Sequence, residues 1–169
     1  MLSRRNVILS GASLLGSAAL IGLTRGGGMS SARAETFLVM KSDDEWRQAL
    51  TPEQFEVLRK AGTEAPWTSP LLKEHRKGNF ACAGCDLELY ASDAKFDSGT
   101  GWPSFWQALP DAVGTEEDRS FMMVRTAVHC ARCGGHLGHV FDDGPPPTGK
   151  RHCINGVALT FHPAPQAAG

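Results

Sequence analysis

Residues 125–141 read RTAVHCARCGGHLGHVF, a candidate strand that runs into a pair of cysteines and then a pair of histidines among glycines. Cys130 and Cys133 form a C-x-x-C pair, whose tight turn aims two thiolates at one point. A second pair, Cys82 and Cys85, stands in the stretch NFACAGCDLELY. Two such pairs are typical of a tetrahedral four-cysteine site, and zinc is its usual occupant. Because four thiolates leave no open coordination position, we expect one structural zinc ion per chain.

Two other uses of these cysteines stay open at this point, namely disulfide bonds and a redox-active dithiol. A disulfide within a C-x-x-C pair closes a very small loop and adds little stability. A thioredoxin-like dithiol requires a βαβ setting, and the short apolar runs around these cysteines do not form one. The pattern therefore favours the zinc site over both alternatives.

Helix signals are confined to the N-terminal side of the domain. Ser42 or Asp43 can cap a first short helix, and a second helix has Thr51 as its N-cap with Pro52 at its first position. We expect Gly62 to end that second helix, because glycine is the common residue just past a helix C-terminus.

Beyond the helices the chain shows short apolar runs separated by glycine, proline, aspartate and serine, which is typical of β-strands and turns. The predicted fold class is therefore mainly β, with helices on the N-terminal side. The candidate strands are Asn79–Ala81, Leu89–Tyr90, Ser120–Val128, Val140–Phe141 and Val157–Phe161. We expect one domain over residues 35–163 and a disordered tail over residues 164–169.

The first 34 residues resemble an export signal. Arg4 and Arg5 precede the apolar stretch Val7–Leu23, and a small-x-small pattern predicts cleavage after Ala34. The segment SRRNVIL also resembles the twin-arginine signature. We therefore expect residues 1–34 to direct export of a folded protein to the periplasm. An uncleaved membrane anchor is the alternative, although the apolar stretch is short for one.

Without residues 1–34 the chain is acidic. That segment holds four of the 17 basic residues and none of the 18 acidic residues. No basic tract remains in the rest of the chain. The charge pattern therefore excludes the electrostatic surface that nucleic-acid binding requires, and we expect no nucleic-acid partner.

Cys153 stands outside both cysteine pairs, in the stretch GKRHCINGVALTF. The thiolate form of a cysteine is the nucleophile, and nearby cations stabilise it. In an extended strand Arg151 and Cys153 share a face, while His152 points to the other face. His136 and His139 lie among glycines and could converge on the same site. A buried structural cysteine is the alternative interpretation of Cys153.

Longer motifs carry a resemblance to a known family. The segments FDSGTGWPSFW and RCGGHLGHVFDDGPPPTGKRHCING, together with the two C-x-x-C pairs, resemble the B-type methionine sulfoxide reductases, which act on the R epimer. The resemblance extends from Ser42 to Phe161. It implies two antiparallel β-sheets with a few helices, zinc at the paired cysteines, and a methionine-R-sulfoxide reductase domain over residues 35–163.

The resemblance also implies roles for individual residues. Cys153 aligns with the catalytic cysteine, and Trp102 aligns with the tryptophan that packs against the methyl group of the sulfoxide. Four further residues align with the polar groups around the reacting sulfur: His136, His139, Arg151 and Asn155. The expected substrates are oxidised proteins or peptides that contain methionine-R-sulfoxide, and the expected oligomeric state is a monomer.

The chemistry implied by the resemblance is thiolate attack on the sulfoxide sulfur. Cys153 attacks, His139 supplies a proton directly or through water, and methionine leaves as Cys153 becomes a sulfenic acid. If the methyl group of the sulfoxide packs against Trp102 and the proton donor lies on the opposite side, the site accepts only one configuration of the chiral sulfur. His136 and Asn155 are expected to order the site and its water.

Three positions depart from the family pattern. Many members carry a second redox cysteine where this chain has Thr100, an aromatic residue where it has His152, and a serine where it has Gly156. Because Thr100 forms no disulfide and the paired cysteines are assigned to zinc, no thiol remains to resolve the sulfenic acid. We therefore expect an external thiol reductant, which is a thioredoxin-like or glutaredoxin-like protein or a small thiol.

Two other functions remain beside the reductase. A zinc-stabilised β module that only binds a partner would share the fold, although Cys153 and Trp102 would then have no purpose. A metal-dependent hydrolase needs an open zinc position, which a four-thiolate site lacks. Asp142 and Asp143 precede a proline loop and are assigned to turn formation, with the orientation of a histidine as the alternative for one of them.

Overall fold

The computed structural model describes residues 36–165, so the predicted export signal, residues 1–34, lies outside the described part of the chain, as do residues 166–169. Two antiparallel β-sheets and two short N-terminal helices form the described part, which confirms the predicted fold class. Ala164, in the predicted tail, donates its amide hydrogen to the carbonyl of Lys77 at 2.8 Å. In the part of the chain that the structure describes, no helix is long and apolar enough to cross a membrane.

The elements follow one another in a simple order. The helices are α1 (Asp43–Ala49) and α2 (Pro52–Lys60). A three-stranded sheet, in the order β2-β1-β9, contains β1 (Gly78–Cys82), β2 (Glu88–Ala91) and β9 (Leu159–Pro163). A six-stranded sheet, in the order β3-β4-β8-β7-β6-β5, contains β3 (Lys95–Phe96), β4 (Ser104–Phe105), β5 (Val113–Asp118), β6 (Arg125–Cys130), β7 (His136–Phe141) and β8 (Arg151–Ile154).

Both helices begin where the sequence predicts. The side chains of Ser42 and Thr51 each accept a hydrogen bond from the third backbone amide of their helix, and the side chain at that third position bonds back to the cap. The end of α2 differs from the prediction. Ala61, not Gly62, adopts the left-handed conformation (φ 53°), and the Gly62 amide donates to the carbonyl of Glu56 at 2.9 Å.

The predicted strand Ser120–Val128 is wrong over its first half. Ser120–Met122 forms a 3₁₀ turn that ends with Met122 in the left-handed conformation (φ 57°), and β6 starts only at Arg125. Met122 and Met123 are both exposed to solvent, because neither lies on a strand that packs on the core.

Strand β5 carries no sequence signal that would predict it. Its sequence VGTEED lacks apolar alternation, because β5 is an edge strand whose central residues face solvent. β7 begins at His136, well before the predicted start at Val140, because the segment of histidines and glycine pairs with β6. Backbone pairing across a hairpin thus extends further than the apolar pattern alone indicates.

The apolar core lies between the two sheets. Phe80, Tyr90 and Phe105 are fully buried, and the rings of Tyr90 and Phe105 stack with their centroids 4.3 Å apart. Phe55 and Leu58, which helical spacing places on one face of α2, pack against this core. In the six-stranded sheet β8 lies between β4 and β7, so its side chains have neighbours on both sides.

Candidate active site and metal centre

The two C-x-x-C pairs form matching turns at the ends of β1 and β6. In each turn the amide one residue past the second cysteine donates to the carbonyl of the first cysteine at 2.8 Å, from Asp86 to Cys82 and from Gly134 to Cys130. Asp86 and Gly134 both have left-handed backbones, with φ of 60° and 67°. This local geometry turns the two thiols of each pair toward the same point.

The four thiol sulfurs form one cluster in which all Sγ atoms lie within 4.8 Å of one another. Cross-pair distances are 3.7 Å from Cys82 to Cys133 and 3.5 Å from Cys85 to Cys130. These distances exceed the roughly 2.05 Å of a disulfide bond. They are close to the roughly 3.8 Å that a tetrahedral ion with metal–sulfur bonds of about 2.3 Å requires. The cluster is therefore able to hold a metal ion, and zinc fits its donors and spacing.

The four thiols of the cluster affect one another's ionisation. Hydrogen bonds from the neighbouring thiols raise the pKa of Cys82 and lower the pKa of Cys130. The thiols thus share their protons unevenly, because four adjacent negative charges in a buried cluster repel one another. Arg132 ties the two turns together by donating to the carbonyl of Cys85 at 3.2 Å.

Cys153 lies in the middle of β8, half-buried, with a strand on either side. Its direct partners are Ser104 on β4 and His139 on β7. Residues directly opposite each other in an antiparallel pair project from the same face of the sheet. The register therefore brings His139 to the predicted nucleophile, and His152 projects from the opposite face.

Arg151 lies on the same face as Cys153, as predicted, and is held in place by two contacts. Its guanidinium donates two hydrogen bonds to Asp143, at 2.9 and 2.8 Å, and lies over the ring of Phe141. These hydrogen bonds raise the pKa of Arg151, and its interaction with Cys153 raises it further. Asp143 therefore positions an arginine rather than a histidine.

The acid that contacts His139 is Asp118, which the sequence does not single out. Its carboxylate lies 2.8 Å from Nε2 of His139 and accepts a hydrogen bond from Arg125 at 2.6 Å. Hydrogen bonds from Ser120, and then from His139, hold the pKa of Asp118 below its ordinary value. Asp118 ends β5, so only the unpredicted β5–β6 pairing brings it next to β7.

His136 lies beside His139, with the two rings edge to face and their centroids 5.4 Å apart. Burial, and then the charge of His139, lowers the pKa of His136 to about 4. Its buried Nε2 atom has no hydrogen-bond partner among the described residues. His136 is thus a neutral imidazole at physiological pH, next to a histidine that is paired with a carboxylate.

Asn155 and Trp102 are joined through the backbone of Glu64. The Asn155 amide donates to the carbonyl of Leu137 at 3.0 Å and accepts from the amide of Glu64 at 3.0 Å. The Trp102 indole donates to the carbonyl of Glu64 at 3.1 Å. Both polar groups of Asn155 are therefore engaged with backbone. Asn155 thus helps to hold the backbone of Leu137 and Glu64 in place, and its expected role in ordering water stays a prediction.

Glu64 is a second residue that sequence patterns do not single out. Its carboxylate accepts hydrogen bonds from the amides of Gly156 and Val157, just after β8. Burial raises the pKa of Glu64. Glu64 also lines a groove of about 1230 Å³, between α2, β9 and the segment after β8, which does not include Cys153.

Comparison with known proteins agrees with this geometry. The model of the SelR domain matches residues 50–163. The chain belongs to the SelR family. Among its relatives is a peptide methionine sulfoxide reductase MsrB from Agrobacterium fabrum, which is 55% identical over 126 residues, covering 74% of this chain and 93% of the relative. Proteins of the same name from Leifsonia xyli (54% over 137 residues, 80% and 98% covered) and Methanosarcina barkeri (56% over 124 residues, 73% and 87% covered) are equally similar.

Two departures of this SelR-family chain from the expected pattern have structural explanations. His152 packs edge-on against the buried ring of Tyr90, 5.6 Å between centroids, as an aromatic residue would. Its Nδ1 atom also lies 3.2 Å from the Tyr90 hydroxyl. A side chain at Gly156 would place its Cβ atom 1.9 Å from Oγ of Ser69, so Ser69 occupies the space of the missing serine.

The third departure faces the reacting sulfur. Oγ1 of Thr100 lies 3.8 Å from Sγ of Cys153, the position at which a second redox cysteine would be in reach. The hydroxyl of Ser98 in turn lies 2.8 Å from Oγ1 of Thr100. The other four cysteines among the described residues form the separate cluster. With threonine at position 100, no second cysteine of the described residues is next to Cys153.

Proposed function

We infer that the protein reduces methionine-R-sulfoxide in proteins or peptides, with Cys153 as the nucleophile. The observation that carries this inference is the register of β8, which sets Cys153 directly against His139 on one side and near Thr100 on the other. Arg151 on the same strand supplies the cation that a thiolate requires. Membership of a family whose curated relatives carry the reductase name supports the same reaction.

In the first half of the reaction the Cys153 thiolate attacks the sulfur of the sulfoxide. The attack forms a bond between Sγ of Cys153 and the substrate sulfur. That bond and the sulfur–oxygen bond then break as the oxygen, with one proton, passes to Sγ. Methionine leaves, reduced by two electrons, and Cys153 is left as a sulfenic acid, oxidised by two electrons. His139 is the proton donor in this proposal, and its contact with Asp118 orients the imidazole.

Selectivity for one epimer follows if the Trp102 ring and the proton donor His139 lie on different sides of the substrate sulfur. Trp102 is half-buried and held by its bond to the Glu64 carbonyl, so its ring has a fixed orientation. In this proposal the ring receives the methyl group of the substrate while the oxygen faces His139. The opposite epimer would direct its oxygen at the ring and lose the proton donor.

Regeneration requires two thiols from outside the chain. A first thiol attacks the sulfur of the Cys153 sulfenic acid, releases water and forms a mixed disulfide. A second thiol then attacks that disulfide and frees Cys153 as a thiol. Thr100 offers no internal alternative, and the four clustered cysteines are engaged with one another. The proposed reductant is a thioredoxin-like or glutaredoxin-like protein or a small thiol.

The proposed metal is one zinc ion per chain, held by Cys82, Cys85, Cys130 and Cys133. When bound, the ion supplies no reaction chemistry, because four thiolates leave no open position. The four cysteines join the end of β1 to the end of β6, and so connect the two sheets. We also propose that the protein is a monomer and that residues 1–34 direct its export to the periplasm. Mass measurement of the mature chain would test the monomer and the loss of residues 1–34, and cell fractionation would test the export.

The decisive experiment offers the protein the two separate epimers of a methionine sulfoxide peptide, with dithiothreitol as reductant. We expect consumption of the R epimer alone, and none by Cys153→Ser. Zinc content and thermal unfolding of both proteins establish that the fold is intact. No turnover of either epimer by a folded, zinc-loaded protein would contradict the proposal and favour a binding module of the same fold.

A further inference from the structure

Three hydroxyl groups form a continuous chain that leads to the sulfur of Cys153. From the far end, Oγ of Ser104 lies 2.7 Å from Oγ of Ser98, and Oγ of Ser98 lies 2.8 Å from Oγ1 of Thr100. Oγ1 of Thr100 then lies 3.8 Å from Sγ of Cys153. Ser104 is fully buried, so the chain starts in the protein interior and ends at the reacting atom.

The direction of this chain follows from counting protons. Each hydroxyl has one proton to donate. Ser104 donates its proton to the carbonyl of Trp102 at 3.2 Å, so Ser98 must donate to Ser104 and Thr100 must donate to Ser98. Thr100 then has only a lone pair for Cys153, and the thiol S–H donates to it. In this arrangement every hydroxyl and the thiol donate once.

Removing the proton of Cys153 reverses the chain. A thiolate only accepts hydrogen bonds, so the Thr100 hydroxyl turns its proton toward the sulfur. Ser98 then donates to Thr100, Ser104 donates to Ser98, and the Trp102 carbonyl loses its partner. A hydrogen bond to an ionised acceptor is about twice as strong as one between neutral groups, so the reversal stabilises the thiolate overall.

We propose that Thr100 is the hydrogen-bond donor to the Cys153 thiolate, and that Ser98, which is itself hydrogen-bonded to Ser104, is a positioning residue that competes for the Thr100 proton. The proposal rests on Cys153 being the nucleophile of the function inferred above. In this protein Thr100 has no thiol and so cannot resolve the sulfenic acid. The proposal gives Thr100 a different role, which is to stabilise the Cys153 thiolate.

Other charged and titratable groups face Cys153 and are the same in every variant of the test. Arg151 lies on the same strand, with Asp143 behind it. His139 lies on β7, with Asp118 behind it. On the other flank, β4 presents Ser104, which is uncharged. A substitution that removes only one of the three hydroxyl groups therefore leaves the charges around Cys153 unchanged, so a shift in the alkylation profile reports on that hydroxyl.

The test measures alkylation of Cys153 by iodoacetamide across pH in the zinc-loaded full chain, with site-specific mass spectrometry. It needs no sulfoxide, so it is independent of turnover. Thr100→Val keeps the shape of threonine and should move the midpoint of the profile up by about one pH unit. Because nucleophilicity rises with thiol basicity (β of about 0.4–0.5), its rate at high pH should be about threefold above wild type. Thr100→Ser should restore both values.

Ser98→Ala supplies the test with opposite sign, and it leaves Thr100 in place. Without Ser98 as acceptor, the Thr100 proton is free for the thiolate, so the midpoint should move down by about half a pH unit. An unchanged midpoint in Thr100→Val, or an upward shift in Ser98→Ala, would overturn the proposed role of Thr100. An upward shift in Thr100→Val and a downward shift in Ser98→Ala would support the role of Thr100. If the same protein reduced neither epimer, the reductase function alone would be overturned.

Discussion

The four-cysteine cluster and the Cys153 site use the same sheets in different ways. Each half of the cluster is a local turn, in which one residue past the second cysteine closes a hydrogen bond of 2.8 Å on the first cysteine. The Cys153 site has no such local unit. Its groups come from β4, β7 and β8, from the end of β5, and from the loop that carries Thr100.

This difference separates what each region contributes. A cluster that joins the ends of two strands from different sheets contributes to the stability of the whole domain. A site assembled by register contributes to reactivity and depends on that stability without adding much to it. Changes in the cluster should therefore unfold the protein, whereas changes at the site should leave a folded protein with altered chemistry.

The largest expected effect comes from breaking the cluster. Cys82→Ser should abolish zinc binding and lower the free energy of unfolding by about 5 kcal/mol or more, because loss of a structural metal is among the most destabilising single changes. Zinc analysis and urea denaturation provide the measurement. Cys153→Ser is the matched control, which should lose turnover yet unfold within about 1 kcal/mol of wild type. Equal stability of the two variants would contradict the comparison.

A second prediction concerns the packing that fixes the end of β8. Gly156→Ser should lower the free energy of unfolding by about 3 kcal/mol, because its Cβ atom would lie 1.9 Å from Oγ of Ser69. Ser69→Gly in the same chain should recover most of that loss, and a double-mutant cycle measures the coupling. If the two changes were simply additive, Ser69 would not be the residue that excludes a side chain at position 156.

A third prediction breaks the site and spares the cluster. Asp118→Asn removes the charge beside His139 and should lower kcat/KM for the R epimer about 100-fold, within the range of general-acid contributions. Zinc content should not change. The control is Asp142→Asn, which should leave kcat/KM unaltered because Asp142 lies on an exposed loop and pairs with Lys150. A similar loss in both variants would remove the special role of Asp118.

The smallest expected effect is a pH dependence of stability at His136. Its pKa of about 4 in the folded protein lies below the ordinary 6.5, so the unfolded chain binds more protons between these values. The contribution is fully present above pH 6.5 and is lost as pH falls toward 4. Between pH 7.5 and 5 the wild type should lose about 2 kcal/mol more than His136→Asn. Parallel losses in urea denaturation would show that His136 does not titrate with folding.

The fold class was predictable because its signals are local. Caps at Ser42 and Thr51, and the apolar face that contains Phe55 and Leu58, depend on spacing within one helix. Edge strand β5 was not predictable, since an edge exposed to solvent needs no apolar alternation. The true start of β6 was missed for a related reason, because Met122 and Met123 are apolar but exposed.

By itself the sequence determined the chemistry that is present: two cysteine pairs able to hold a metal, one further cysteine beside a cation, and a threonine in place of a second redox thiol. Only the tertiary structure decided which groups meet. Asp118 reaches His139 through hairpin pairing, and the Ser104 hydroxyl reaches Cys153 through two others. The physical reason is that residue types and short-range turns are properties of neighbouring residues, whereas contacts between strands follow from a register that the whole core fixes.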